Sequence, residues 1–583
     1  MYKIFKATLI ARAAVHIGSG MDSDLSDALI RRNARGEIII PGTAIAGALR
    51  SLLTRLAPRL DGRECAALTD ATISCDCAVC RLFGDVNPQD EAKSESAASR
   101  VLVFDAKLIA LASPTTIRDG VGIDRASRAS SRADAVKFDL EIIPAQSQFE
   151  LRMELRADAN EQLLVAGLAE WHAGRAWLGG RVGRGLGAFR LDAPKFIERE
   201  LKTANQLVAF LKEDHPWENE SAVEPRWLEE RTDRARTCAR ENGAADAASP
   251  LVARCWLALE FTLAAQGPLL TNDSVASGTS GFDHAPLLAA VDAWGKPILT
   301  GAGLRGVLRS HAERIARTLA TLNASNAQEF NVKCPACDPH SKRKNKNAAS
   351  LALESCDSLL RFEQDKESDA RVESGEMCLA CRMFGSPRFG SRFLVEDAAL
   401  IGEPKYKMLD FLAIDRFTGG GREGAKFDAL ALWQPEFRAR LFFDNPVAWE
   451  LGWLALVLRD LKEGWLSVGF GAAKGMGRVK MHDWTGRLGV IHRADFPRGK
   501  SETPDEIEQH IAALDDAAVD DGAYRAAIAQ EANRAQWLAL AQSWVAAFHD
   551  ELLKERPCTT GLELKRDTYF DRVDSLYRKE VTL

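Results

Sequence analysis

One eight-residue pattern appears twice. Residues 77–84 read CAVCRLFG and residues 378–385 read CLACRMFG, the same C-x-x-C-R-[Leu/Met]-F-G pattern. Such a recurrence means either two separate metal knuckles or the visible tip of a duplicated domain, and an internal repeat constrains a fold more than any single motif. Three further matches decide it. IIPGTAIAGALRSLL (39–53) returns as LTGAGLRGVLRSHA (299–312), which sets Gly42, Gly47, Leu49, Arg50 and Ser51 on Gly301, Gly306, Leu308, Arg309 and Ser310. GIDRASRASSRADAVKFDLEIIP (122–144) returns as AIDRFTGGGREGAKFDALALWQP (413–435), with Ile-Asp-Arg and Lys-Phe-Asp in the same order. LGGRVGRGLGAFRL (178–191) returns as VGFGAAKGMGRVKM (468–481), with Gly179, Gly185 and Gly187 on Gly469, Gly475 and Gly477. Four matches in one order identify a duplicated domain. The offset grows from 259 to 301 across the cysteines and then falls to about 290, so the second copy carries an insertion near 314–376 and a shorter loop at 416–426. The insertion contains a basic run, SKRKNKN (341–347), which suits either solvent or a phosphate backbone.

The local pattern repeats as well. KIFKATLIARA alternates as a strand, and Thr43 is placed to cap a helix with Ile45, Ala48, Leu49, Leu52 and Leu56 on one face. RVLVFDAKLIA (100–110) reads as a strand, ANEQLLVAGLAEWHAG (159–174) as an amphipathic helix, and GAFRLD as a closing strand. The second copy offers CWLALEFTL, GLRGVLRSHAERIARTL, SRFLVEDAAL, AWELGWLALVLRDL and GRVKMHDW in the same order. Strand, helix, two strands, helix, strand is the ferredoxin-like βαββαβ unit, so the expected fold class is α+β with two tandem ferredoxin-like domains. At 583 residues the chain is too long for one core. The expected divisions are a first domain over 1–199, a linker over 200–250, a second domain over 251–485 and a helical extension over 486–583.

The net charge of −6 excludes a globally basic nucleic-acid binder and confines any such surface to patches. MYKIFKATLI lacks a signal-peptide pattern, and no apolar run is long enough to span a bilayer. Twelve cysteines without a secretion signal read as metal sites in a reducing, cytoplasmic setting rather than as disulfides. Cys65, Cys75, Cys77 and Cys80 supply four sulfurs within sixteen residues, and Cys334, Cys337, Cys378 and Cys381 make C-x-x-C…C-x-x-C, with Cys356 able to replace one of them. Four thiolates form a closed tetrahedral Zn2+ site, structural rather than catalytic. Cys238, Cys255 and Cys558 lie outside either cluster.

Other stretches carry charge on flexible-looking backbone. The helix entry PGTAIAG suits a phosphate at bare N–H groups, and equally a tight strand–helix turn. GGRVGRGLG carries Arg181 and Arg184, and its partner carries Lys474; a strand follows instead of a helix, which excludes a dinucleotide fingerprint. HIGSGMDSDLSDALIRR holds Asp22, Asp24 and Asp27, and SGTSGFDHAPLLAAVD holds Asp283 and Asp292. Counting back without gaps from the helix entries pairs Asp24 with Asp283, whereas local context favours Asp27. His16 and His284 do not form a pair shared by both copies, which argues against a histidine-based cut.

Taken together, IPGTAIAGALR, the knuckles ending in FG, IDR…KFD and GGRVGRGLG resemble the RAMP superfamily. More narrowly they resemble backbone subunits of type III CRISPR effector complexes, and two fused domains resemble the tandem backbone proteins of type III-D. The resemblance covers about 1–195 and 251–485. It implies guide RNA, target RNA and other type III effector subunits as partners, with no membrane. It implies RNA contact through Gly42, Thr43, Arg50, Gly301, Arg305 and Arg309 at the helix entries. Arg181, Arg184 and Lys474 would contact RNA from the glycine loops, and Arg125, Arg128, Lys137, Arg416 and Lys426 from the thumb hairpins. Thumbs of this family wedge into the guide–target duplex and flip out a nucleotide. The resemblance further implies target-RNA cleavage at a loop aspartate with Mg2+ or Mn2+: Asp27 first, Asp24 second, and Asp283 in the second copy. Three other readings stay open: a non-cleaving structural subunit, a zinc-ribbon scaffold that binds only proteins, and a guide-processing endonuclease.

Overall fold

The computed structural model describes residues 2–23, 26–61, 64–66, 75–85, 98–125, 137–214, 228, 230–232, 252–271, 277, 281–286, 296–326, 329–330, 333–347, 353–362, 372, 374–491, 518–529 and 533–554. The first copy runs β1 (Tyr2–Ala11), β2 (Ile39–Ile40), α1 (Gly42–Asp61), α2 (Ala78–Phe83), β3 (Val101–Val103) and β4 (Ala106–Ala110). It continues with β5 (Thr116–Val121), β6 (Lys137–Ile142), β7 (Gln148–Leu155), α3 (Glu161–His172), β8 (Ala176–Trp177) and β9 (Ala188–Arg199). A short helix α4 (Ala204–Lys212) follows. The second copy runs β10 (Cys255–Ala265), β11 (Pro268–Leu269), β12 (Ile298–Leu299), α5 (Gly301–Asn323), α6 (Cys356–Phe362), α7 (Leu379–Phe384), β13 (Phe393–Val395) and β14 (Ala398–Leu400). Then come β15 (Tyr406–Ile414), β16 (Gly421–Trp433), β17 (Glu436–Asp444), α8 (Ala448–Glu463), β18 (Leu466–Ser467) and β19 (Arg478–Val490). The extension holds a hairpin, β20 (Ala518–Asp521) and β21 (Tyr524–Ile528), ahead of helix α9 (Arg534–Leu552).

Alternation drives the sheets. In β7 every second residue (Phe149, Leu151, Met153, Leu155) is buried, as the period-2 pattern requires for a strand with one face on the core. The four main strands of the first sheet lie in the order β4-β7-β1-β9, and those of the second in the order β14-β17-β10-β19, antiparallel throughout. That is the ferredoxin-like order, realised twice. Even an irregularity recurs: the register slips between Lys6 and Thr8 against β9, and between Glu260 and Thr262 against β19. Each copy also sends out a thumb, the β5–β6 hairpin in the first and β15–β16, joined by β11, in the second.

The expected strand at 100–110 is two short strands broken at Phe104–Asp105. The break has a purpose, because the Asp105 carboxylate accepts a hydrogen bond from Gly42 N at 2.8 Å and caps α1. Thr43 therefore lies inside the helix, exposed, and is not its cap. In the second copy Asp397 accepts from Gly301 N at 2.8 Å and Thr300 is the side-chain cap.

The extension is not only helical. Its hairpin adds two strands to the second sheet beside β19. Helix α9 packs so closely on α8 that a Cβ at Gly452 would stand 1.9 Å from the Trp544 carbonyl oxygen.

The two domains share a continuous contact. Trp256, Ala258, Phe442, Tyr524 and Ala526 of the second domain and its extension join the first domain's hydrophobic core. Trp177 lies 4.7 Å from Phe442, ring to ring. Ion pairs cross the junction: Arg12–Glu396 at 2.9 Å, Arg55–Asp444 at 2.6 Å, Arg118–Asp397 at 2.8 Å, Arg125–Glu313 at 2.9 Å and Arg175–Asp521 at 2.8 Å. Among the described residues no helix is long and apolar enough to cross a membrane.

Candidate nucleic-acid interface and metal centres

The aspartate loop of each copy returns to the root of its own thumb. Asp27 is exposed, and its Oδ2 accepts the backbone N–H of Asp139 at 2.9 Å. Asp283 Oδ2 accepts from Asp428 N at 3.0 Å, and Asp428 Oδ1 accepts from Asp283 N at 2.9 Å. The residues after them make matching parallel bridges, Ala28 to Leu140 and His284 to Ala429. Asp139 and Asp428 close the repeated Lys-Phe-Asp, so the structural partner of Asp283 is Asp27, not Asp24. Asp24 and Arg128 lie outside the described residues. His16 is buried and its Nδ1 lies 2.8 Å from Glu141 O, a local backbone bond.

Around each aspartate the same chemistry is assembled. The Phe of Lys-Phe-Asp offers a ring, and the glycine loop lays a cation over it. Arg181 and Arg184 stand 4.1 and 5.2 Å from the Phe138 centroid. Lys474 stands 4.5 Å from Phe427, which stacks on Phe411 at 4.8 Å, with His284 and Phe470 4.5 Å apart beside them. These cations are exposed, as are Lys137, Lys426 and Arg416. A second carboxylate faces each Lys-Phe-Asp aspartate across the thumb, Asp119 opposite Asp139 and Asp410 opposite Asp428. Desolvation and then Asp119 raise the Asp139 carboxyl above its usual range, while Lys137 opposes them. Lys137 reaches both Asp119 (3.7 Å) and Asp139 (3.5 Å), and Lys426 reaches Asp410 at 3.2 Å. The Lys-Phe-Asp recurrence was the sequence signal for these groups, although the roles of Asp139, Asp428, Asp119 and Asp410 were not legible in it.

The glycine loops are built, not slack. Gly187 N donates to Ala14 O at 2.9 Å and Gly187 O accepts from Leu178 N at 2.8 Å, while Gly477 makes the matching bonds with Pro268 O and Val468 N, both at 2.8 Å. Both glycines have positive φ, and a Cβ on either would stand 2.0 Å from a carbonyl oxygen.

Several residues expected on RNA have other partners. Gly42 and Gly301 are buried, a Cβ on either would lie 2.2 Å from a carbonyl oxygen, and their N–H groups are held by Asp105 and Asp397. The helix entries are therefore tight turns whose positive ends already face a carboxylate. Arg50 donates to Cys80 Sγ at 3.4 Å and Arg309 to Cys381 Sγ at 3.8 Å. Arg305 donates to the Phe384 carbonyl and to Ser391 Oγ, and burial, then Arg309 and Arg184, lowers its guanidinium to about 9. Arg125 pairs with the fully buried Glu313. Sequence reasoning missed Glu313, since a glutamate in an amphipathic helix gives no sign of burial. In the basic run, Arg343 is buried against Glu354 at 2.6 Å.

Two groups of four cysteine sulfurs lie within 4.8 Å of one another: Cys65, Cys75, Cys77, Cys80 and Cys337, Cys356, Cys378, Cys381. Cys334 is not in the second set. It packs with Ala320 and Phe330, and Cys356, at the start of α6, supplies the fourth sulfur. Tetrahedral zinc with Zn–S bonds near 2.3 Å needs sulfurs about 3.8 Å apart. Cys65–Cys80 is 3.7 Å and Cys337–Cys381 is 3.5 Å. Backbone N–H groups of Ala66, Cys80, Cys337 and Cys378 point at sulfurs from 3.3 to 3.5 Å, which suits thiolates. Both sets fit structural Zn2+. The aspartates form no comparable cage among the described residues.

Comparison with curated proteins returns no match. The model of the RAMP superfamily matches residues 8–190 and again 268–480, together more than half of the chain. The two matched regions fall within the two ferredoxin-like units and take in their thumbs: the chain belongs to the RAMP superfamily, with two of its domains in tandem.

Proposed function

We propose that this protein is a backbone subunit of a type III CRISPR ribonucleoprotein that binds guide RNA with both domains and cuts the paired target RNA at Asp27 and Asp283. Membership of the RAMP superfamily supports a CRISPR-associated RNA-binding subunit. The observation that carries the finer reading is the twofold recurrence of one constellation: a loop aspartate fixed by the Lys-Phe-Asp backbone, beside a ring with a cation over it. Two fused domains further support a tandem backbone protein of the type III-D kind.

The geometry suits phosphodiester cleavage by the RNA's own 2′-hydroxyl. One oxygen of each aspartate is pinned, which orients the other as a proton acceptor. The carboxylate takes the 2′-hydroxyl proton, the 2′-oxygen attacks its phosphorus as the bond to the 5′-oxygen breaks, the 5′-oxygen takes a proton from water, and a 2′,3′-cyclic phosphate remains. Arg181, Arg184 and Lys474 would neutralise charge that grows on the phosphate. A hard divalent cation, Mg2+ or Mn2+, would be held near the Asp27 or Asp283 carboxylate and would supply charge neutralisation at the phosphate. Base pairing selects the sequence, and the protein reads backbone and duplex shape.

The test is cleavage by a reconstituted complex carrying Asp27→Ala, Asp283→Ala or both. Each single variant should remove one product and keep the other. Persistence of both products in the double variant would refute cleavage at these residues. Crosslinking of RNA to 116–125 and 406–426 tests the binding half, and its absence favours the protein-only scaffold.

A further inference from the structure

We propose that Glu313 is a positioning residue through which the metal-loaded second knuckle holds the first domain's thumb. Glu313 lies on α5, fully buried, at the meeting of three arginines. Arg309 Nε donates to its Oε1 at 2.8 Å, Arg125 Nε to its Oε2 at 2.9 Å, and Arg317 Nη2 stands 3.7 Å from Oε2. Desolvation pushes this carboxyl up, but Arg309, Arg317 and Arg125 outweigh it and hold it below the usual range.

Two of those arginines grip the knuckle. Arg309 donates to Cys381 Sγ at 3.8 Å and to Gly385 O at 3.1 Å. Arg317 donates to Ala336 O at 2.9 Å and to Cys337 O at 2.7 Å. The third, Arg125, belongs to the first domain, four residues beyond the end of β5, in the Ile-Asp-Arg of the thumb. The path therefore runs from the four-cysteine set through Arg309 and Arg317 to Glu313, and on to the thumb. A second tie lies close by, because Arg118 of β5 pairs with Asp397, the residue that caps α5.

The duplication supplies an internal control. At the offset of 259, Arg50 takes the place of Arg309 and makes the matching bond to Cys80. Thr54 stands where Glu313 stands, and Pro58 where Arg317 stands. The first knuckle thus keeps the arginine–sulfur contact but lacks the carboxylate that would pass it on. Four zinc-bound thiolates carry a net charge near −2, which holds Arg309 between the Cys381 sulfur and Glu313 Oε1 and leaves Oε2 to Arg125. With the metal gone the knuckle loses its anchor, and the chain of bonds from Arg309 through Glu313 to Arg125 loses its fixed end.

The hold concerns the protein alone, whereas the thumb's work on RNA rests on the reading above, so the test uses the full chain without RNA. Hydrogen exchange of 116–125 is compared in wild type, Glu313→Gln, Arg125→Met and Cys356→Ser, with zinc content measured in each. Expected are wild-type zinc content in the first two variants, exchange of 116–125 faster by about tenfold or more in all three, and no added effect of Cys356→Ser on top of Glu313→Gln. Exchange of 255–265 and 436–444 should not change, which separates loss of the hold from unfolding; if Glu313→Gln fails that control, Arg125→Met decides. Zinc stripped from wild type and restored should loosen and then restore the hairpin. Cys75→Ser in the first knuckle should leave it unchanged. Wild-type exchange of 116–125 in zinc-loaded Arg125→Met, or in zinc-depleted Cys356→Ser, overturns the proposal.

Discussion

Asp27 and Asp283 stand apart from other loop aspartates because a backbone N–H of the thumb fixes one oxygen of each. The second domain adds a bond in return, from Asp283 N to the Asp428 side chain. If Asp283 cuts RNA as proposed, Asp428→Ala should lower cleavage there by roughly 10- to 100-fold, since a small misplacement of a catalytic group costs about that much, and leave the product assigned to Asp27 unchanged. Gel analysis of the two products reads this directly. Another residue-scale effect concerns pH. Burial raises the Glu396 carboxyl from 4.5 to about 7; Arg12 opposes this, while Glu260 and Asp397 add to it. The folded chain thus binds this proton more tightly than the unfolded chain. The contribution favours folding below about pH 4.5 and is lost as pH rises to about 7, an effect of about 3 kcal/mol at most. Glu396→Gln should flatten the pH dependence of urea unfolding between about pH 5 and 7; an unaltered slope would contradict it.

At the scale of elements, helix α9 is bound to the second domain by close approach. Gly452→Ala forces a methyl against the Trp544 carbonyl, so it should cost roughly 1–3 kcal/mol and expose 534–552 to protease. What the sequence disclosed at this scale was periodicity. The strand at KIFKATLIARA and the helix within 159–174 emerged as read, but the helix is buried continuously from Leu163 to Trp171 instead of on one face. The duplication survived down to a shared register slip. Partners in space were not legible. Nothing near Gly42 announces that Asp105, distant in sequence, will cap its helix. Nor does a run such as GALRSLL tell an arginine meant for phosphate from one turned toward a thiolate. Spacing favours Cys334, which makes C-x-x-C with Cys337, and only the placement of α6 brings in Cys356 instead. The aspartate loops were found by residue type, but pairing Asp27 with Asp283 required the bridges to the thumbs.

At the scale of the molecule, the junction is specific to this pair of domains. At the positions equivalent to Arg12 and Glu396 stand Gln266 and Phe104, and at those equivalent to Arg118 and Glu313 stand Leu409 and Thr54. A second copy of the chain cannot reproduce these ion pairs at either free end. The isolated protein should therefore sediment as a monomer, and Gln266→Arg combined with Phe104→Glu should promote head-to-tail association. Wild-type oligomers in sedimentation would contradict this. The Arg175–Asp521 contact has a consequence in time. Arg175 is buried with Glu170, and its other partner lies 346 residues further along the chain. At about 5–20 residues per second of synthesis, roughly 20–70 s pass between them. During that interval a nascent first domain, with Arg175 and Glu170 still uncovered, waits on the ribosome for the strand that will seal it. Damage to the final hairpin should thus show itself first as poor yield of soluble chain, before any loss at the RNA-facing surface.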